Sequence, residues 1–217
     1  MKLYLYDHCP FCVRAEMVAH YKRVAVERVY LLNDDEATCL RLIGAKQVPI
    51  LEFDDGQAMG ESLDIARRFD EIGDPARVIR PHGDYLPIQE RMNAKRLATW
   101  CLLFPRDIAI GAPEFATQAA RDYFRAKKEQ VIQRPFAQAQ AETAEHRAAV
   151  EAMLAALPPI APPSAHGGTL GWDDVLLYPG LRNLSMVKDL AFPPALRAYV
   201  EEVAALTGTH CYFERAR

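Results

Sequence analysis

The chain has 217 residues, half of them hydrophobic, enough to bury one large core or two smaller ones. A net charge of −3 argues against nucleic acid or an anionic membrane as partner. Met1 leads straight into a strand-like segment without a basic-then-apolar leader, and no apolar run approaches the ~18–20 residues of a membrane span, so the expectation is a cytoplasmic protein.

Residues 2–6, Lys-Leu-Tyr-Leu-Tyr, read as a strand. Cys9-Pro10-Phe11-Cys12 follows, and apolar residues at 13, 17, 18 and 21 then mark a helix. Pro10 suits the first helical position, where a missing N–H costs nothing. Cys9 then stands at the N-cap, facing unpaired backbone N–H groups and the positive end of the helix dipole. Such a setting lowers a cysteine pKa from about 8.5 to roughly 3.5–7.5, so Cys9 is expected to be a nucleophilic thiolate. Cys12, one turn in and more buried, is expected to resolve the disulfide formed at Cys9. Zinc needs more ligands than this pair, and Cys39, Cys101 and Cys211 are scattered, so no metal site is expected. A structural disulfide across four residues adds little through chain entropy. In a reducing compartment the pair reads as transient and catalytic.

Residues 26–32 read as a second strand. Asn33 with Glu36 forms a capping-box pattern opening a helix to about Ile43, which Gly44 ends. Residues 50–53 read as a third strand, and Asp54-Asp55-Gly56 as a hairpin turn into a fourth, antiparallel one at 57–59. Glu61-Ser62 opens a helix with Leu63, Ala66, Phe69 and Ile72 as its apolar stripe. Residues 1–73 thus form an α/β unit. Residues 74–87, with Pro75, Pro81, Gly83 and Pro87, read as a linker. Residues 88–217 read as all-helical, with helices at 88–103, 116–134, 136–157, 172–188 and 194–206. Gly171 or Trp172 is the expected cap of the fourth, with Asp173 and Asp174 as folding elements. Cys39, Cys101 and Cys211 are expected to be small buried hydrophobes. Trp100, Phe104, Tyr123 and Phe124 are expected in the core or a domain interface.

A cysteine pair after the first strand and Val48-Pro49 leading into the third match the thioredoxin-like order. Tyr6-Asp7-His8-Cys9-Pro10-Phe11-Cys12 resembles the active-site stretch of glutaredoxins. Residues 31–35, 46–51 and 61–65 resemble segments of the glutaredoxin 2 family, the large two-domain type with a glutathione-transferase-like body. The likeness continues weakly at residues 103–106 and more clearly at 173–174 and 181–184. It implies an α/β thioredoxin-like N-terminal domain, an all-α C-terminal domain and glutathione as co-substrate. Val48, before a cis Pro49, would pair with glutathione's backbone like an added strand. The helix start at Glu61 and Ser62 would hold the γ-glutamyl group, and Gln47, with Lys46 nearby, would reach the glycine carboxylate. Lys46 otherwise reads as a solvated surface residue, and Tyr6 as packing against the sheet.

The function expected is a glutathione-dependent thiol–disulfide oxidoreductase acting on disulfide-containing or glutathionylated proteins, as a monomer. A glutathione transferase is the alternative, since the two-domain body suits it equally. An iron–sulfur carrier bridging two chains and a non-catalytic binding module are lesser rivals.

Overall fold

The computed structural model describes residues 1–217. Its first half is β1 (Lys2–Leu5), α1 (Pro10–Tyr21), β2 (Glu27–Tyr30), α2 (Glu36–Ile43), β3 (Ile50–Glu52), β4 (Ala58–Met59) and α3 (Ser62–Ile72). The sheet order is β2-β1-β3-β4, with β1 parallel to β2 and antiparallel to β3, and β3 antiparallel to β4. Leu3 sits between Arg28 and Leu51 in the register. This is the thioredoxin-like order expected. Gly56 takes φ 85° at the hairpin turn, a conformation costly for any residue with a Cβ.

α1 lies at the centre. It packs on α3 within its own half and on the helices Trp172–Leu184 and Pro194–Thr207 of the second. Seven of its twelve residues are therefore buried, from Cys12 to Tyr21, rather than a single stripe. Each fully buried Val or Met there contributes about 1.5–3 kcal/mol.

Two local expectations change. The cap of α2 is Asp35, not Asn33: Asp35 accepts from the Thr38 N–H at 2.9 Å and the Thr38 hydroxyl at 2.7 Å. Asn33 is buried, and its N–H donates to the Glu114 carbonyl at 2.9 Å, so the second half of the chain claims it. In α3 the inner face is Ser62, Ile65, Ala66 and Phe69, while Ile72 is 40% exposed.

The second half is helical: α4 (Leu86–Ala94), α5 (Arg96–Ala109), α6 (Gln118–Ile132), α7 (Phe136–Ala141), α8 (Thr143–Ala155), α9 (Trp172–Leu184) and α10 (Pro194–Thr207). The single helix expected over 88–103 is two, broken at Lys95. α5 then runs through Pro105 to Ala109. The proline removes one N–H, but packing against α6, α7 and α8 holds the helix together. The helix expected over 136–157 likewise breaks at Glu142, and α9 stops at Leu184 rather than near 188. No helix is long and apolar enough to cross a membrane.

Gly171 caps α9, and its N–H donates to Asp174 Oδ2 at 2.8 Å. Asp174 Oδ1 accepts from the buried Tyr199 hydroxyl at 2.8 Å. Asp173 Oδ1 accepts from the His82 N–H at 2.8 Å, tying the segment after α3 to α9. Replacing Asp174 by Ala leaves two buried donors unpaired at about 1–3 kcal/mol each. Asp174→Ala is therefore expected to lower unfolding free energy by about 2–6 kcal/mol in urea titrations while leaving the titration of Cys9 unchanged.

Candidate active site

Cys9 is the N-cap of α1 and Pro10 its first residue. Both Cys9 and Cys12 are free thiols. Cys12 is fully buried, and its sulfur accepts from the Tyr6 N–H at 3.4 Å. Cys9 is 9% exposed and opens onto a cleft of about 550 Å³ between the two halves of the chain. Tyr6, His8, Cys9, Lys46, Gln47 and Val48 line one wall. Trp100, Leu103, Phe104, Asp107, Tyr123 and Phe124, from α5 and α6, line the other. The aromatic residues expected in core or interface thus face the cysteine across an interface cleft.

The Cys9 pKa falls to about 6. A hydrogen bond from the Cys12 thiol is the largest cause, and it works against burial, which favours the neutral form. The positive charge of His8 adds to it, and the Cys12 and Phe11 backbone N–H groups follow. The helix terminus on which the sequence argument rested is a lesser contributor. Burial pushes Cys12 well above the ordinary thiol value, and the Cys9 thiolate beside it adds to the shift. The pair is therefore asymmetric, with a thiolate at the cleft and a thiol behind it.

His8 supplies what the sequence did not reveal. Its Nδ1 lies 2.5 Å from Glu114 Oε1, and its backbone N–H donates to the same oxygen at 3.0 Å. Burial would discharge the ring, but the charges of Asp107 and Glu114 outweigh it and raise its pKa to about 9. The ring also stacks on Tyr6, with centroids 5.8 Å apart. Between pH about 6 and about 9, Cys9 is thus a thiolate beside an imidazolium. Glu114 is fully buried in a 3₁₀ turn (Pro113–Phe115) after α5. Its only local signal in the sequence is an acidic residue in an apolar setting, far from the cysteines.

The loop before Cys9 is strapped to the second half. Arg182, 1% exposed on α9, donates from Nη1 to the Asp7 carbonyl at 3.0 Å and from Nη2 to Asp7 Oδ1 at 3.2 Å. The Tyr212 hydroxyl donates to Asp7 Oδ2 at 3.1 Å, and Asn183 Nδ2 donates to the His8 carbonyl at 2.7 Å. His210 and the Arg182 guanidinium hold the Asp7 carboxyl well below the usual range against its burial.

The predicted glutathione residues divide. Gln47 and Val48 line the cleft, next to Pro49 with its cis Val48-Pro49 bond. Val48 makes none of the chain's loop backbone hydrogen bonds. Ser62 is not a cap but the first residue of α3, and Glu61 occupies the cap with φ 63°, an unusual value for a residue with a side chain. Glu61 is exposed and outside the cleft walls, linked to them by a 3.4 Å hydrogen bond from Gln47 Nε2. Lys46 is half-buried rather than freely solvated: its ammonium donates to the Tyr6 hydroxyl at 2.8 Å and the Asp35 carbonyl at 2.9 Å. Tyr6 accordingly borders the cleft as well as the sheet. Cys39 and Cys101 are fully buried as expected, and Cys211 is half-buried. No three His, Cys, Asp or Glu side chains cluster as a metal site.

Residues 87–216 match the family model for the glutaredoxin 2 C-terminal domain, and residues 3–76 match that for the glutathione S-transferase N-terminal domain. Glutaredoxin 2 of Escherichia coli K12 is 39% identical, with 95% of each chain covered. The chain belongs to the glutaredoxin 2 family. The crystal structure of Salmonella typhimurium glutaredoxin 2 in complex with glutathione superposes with a TM-score of 0.90 at 36% identity, covering 100% of this chain and 98% of that one. A glutathione transferase from Phanerochaete chrysosporium, at 14% identity and TM-score 0.69 over 94% and 96% of the two chains, shares the fold alone.

The electrostatics of this glutaredoxin-family site predict a measurable titration. Alkylation of Cys9 by iodoacetamide is expected to be half-maximal near pH 6. His8→Gln removes a stabilising cation and Cys12→Ala a stabilising S–H, so each is expected to move that midpoint upward. An unchanged midpoint in both would contradict this account of the thiolate.

Proposed function

We propose that the chain is a glutathione-dependent thiol–disulfide oxidoreductase, with Cys9 as the attacking thiolate and Cys12 as the resolving thiol. The observation that carries this reading is the thiolate at the cleft wall with a raised-pKa thiol directly behind it. With a protein disulfide, Cys9 attacks one sulfur and expels the other as a thiol. Cys12 then attacks the Cys9 sulfur, releases the second protein thiol and leaves a Cys9–Cys12 disulfide. Two glutathione molecules restore the dithiol through a Cys9–glutathione mixed disulfide and depart as glutathione disulfide. With a glutathionylated protein, Cys9 takes the glutathione directly and a second glutathione removes it, so Cys12 is not needed. Glutaredoxin potentials of about −200 to −230 mV lie close to cytosolic glutathione, which allows either direction.

Glutathione fits the first wall of the cleft. The Val48 N–H and C=O are free to pair with its cysteinyl backbone. The open N–H groups at the start of α3, with Ser62 and Glu61, would receive the γ-glutamyl end. Gln47 stands between these two places. The reading takes residues 1–73 as the catalytic domain, 74–87 as linker and 88–217 as the helical domain. It places the protein in the cytoplasm as a monomer acting on disulfide-bearing or glutathionylated proteins. Transferase chemistry is the weaker reading, because Cys12 directly behind Cys9 would tend to trap glutathione as a disulfide.

Three outcomes follow in a glutathione-coupled assay. Cys9→Ser is expected to abolish turnover of both substrate types. Cys12→Ser is expected to retain deglutathionylation and lose most protein-disulfide reduction. Full activity of Cys9→Ser, or conjugation of an aromatic halide far faster than disulfide reduction, would sink the reading. Gln47→Ala and Ser62→Ala are expected to raise the KM for glutathione several-fold with kcat little changed, as for residues that bind ground state and transition state alike.

A further inference from the structure

Two buried carboxylate oxygens near Cys9 have no hydrogen-bond partner, Asp107 Oδ1 and Glu114 Oε2. Leaving a buried polar atom without a partner is costly, so each asks for a chemical reason. The two are not equivalent. Glu114 spends its other oxygen on both the ring and the backbone N–H of His8, and its pKa is lowered despite burial. It is a fixed anion that holds His8 charged. Asp107, on α5, is 3% exposed, has no such partner, and lines the cleft together with Cys9 and His8.

We propose that Asp107 is the general acid–base of exchange at Cys9: it protonates the thiolate expelled from the substrate and later takes the proton of the incoming glutathione. The inference rests on the disulfide-exchange reading above. For a mixed disulfide R–S–S–G, the Cys9 thiolate attacks the glutathione sulfur; a new S–S bond joins Cys9 to glutathione, and the old S–S bond breaks with its electron pair going to the departing R–S⁻. The Asp107 carboxyl gives its proton to R–S⁻, which leaves as a thiol, and Asp107 becomes a carboxylate. A second glutathione thiol then passes its proton to Asp107 and attacks the mixed disulfide, releasing glutathione disulfide and the Cys9 thiolate. One disulfide is reduced, two glutathione sulfurs are joined, and the single proton supplied by the second glutathione ends on R–S–H.

The surroundings suit that cycle. Burial raises the Asp107 pKa to about 7; His8 and Lys128 oppose the shift, while Glu114 and the Cys9 thiolate reinforce it. The Asp107 charge is also felt by the Tyr212 hydroxyl of the C-terminal segment. A group near the ambient pH donates and accepts with equal ease. His8 is unsuited to this shuttle, because its proton is held by Glu114 and its charge sustains the Cys9 thiolate.

The test compares single-turnover cleavage of two mixed disulfides of glutathione by reduced enzyme. One carries 2-mercaptoethanol, a basic leaving thiol that needs a proton. The other carries 5-thio-2-nitrobenzoate, an acidic one that does not. In the wild type, cleavage of the first is expected to fall above pH about 7 while cleavage of the second does not. Asp107→Asn, of nearly the same shape, is expected to slow the first by about a hundredfold, the lower end for a positioned general acid. Because the Asp107 charge also acts on His8 and Cys9, each rate is divided by the Cys9 thiolate fraction read from its alkylation midpoint; so corrected, the second should slow less than twofold. Equal slowing of both substrates, or wild-type behaviour for both, would overturn the inference. So would a wild type whose rate with the basic leaving thiol shows no alkaline limb near pH 7, a result that needs no variant to fold. Cleavage of neither substrate by wild-type enzyme would overturn the functional reading itself and this inference with it.

Discussion

An anionic sulfur in a nearly closed space needs positive charge or donors close by, and the architecture follows from that requirement. A buried charge without compensation neutralises itself by shifting its pKa. Cys9 avoids this because the Cys12 thiol donates to it and the His8 imidazolium stands beside it. His8 is itself buried and would lose its proton without Glu114 and Asp107. Those two carboxylates sit on and just after α5 of the helical half. The ionisation of Cys9 in the first half therefore depends on acids contributed by the second, although the thioredoxin-like half carries both Cys9 and Cys12.

The same dependence explains the strapping of residues 6–9. A turn that presents a reactive sulfur must not wander, since a small misplacement of reacting groups costs much rate. Arg182 fixes Asp7, Asn183 fixes the His8 carbonyl, and Glu114 fixes the His8 ring and N–H. Burying Arg182 is tolerable because the Asp7 carbonyl and carboxylate, the His210 carbonyl and Asn183 satisfy its donors.

Much of the frame was legible in residue order. Cys9-Pro10-Phe11-Cys12 between a strand pattern and a helix pattern locates the reactive pair, because capping rules are local. Asp54-Asp55-Gly56 locates the hairpin, because φ 85° at Gly56 is a local demand. Where several residues satisfied the same local rule, the choice was lost. Asn33 and Asp35 are both good caps, and Asn33 is excluded only because its N–H bonds to Glu114, far along the chain. Pro105 lies just beyond the helix expected over 88–103, yet α5 passes through it because neighbouring helices hold both sides. Lys46 looked solvated until Tyr6 and Asp35 were brought to its ammonium.

By itself, then, the amino-acid order determined the element sequence of the first half, the helical character of the second and the placing of Cys9 and Cys12 at the start of α1, since each depends on neighbours within a turn or two. The tertiary structure decided why Cys9 is ionised, which acids hold His8 charged, and that Trp100, Phe104, Tyr123 and Phe124 form the far wall of the cleft. Those properties arise from charges and surfaces that meet only when residues about a hundred positions apart pack together. Desolvation and Coulomb energy depend on distance in space, which no local pattern encodes.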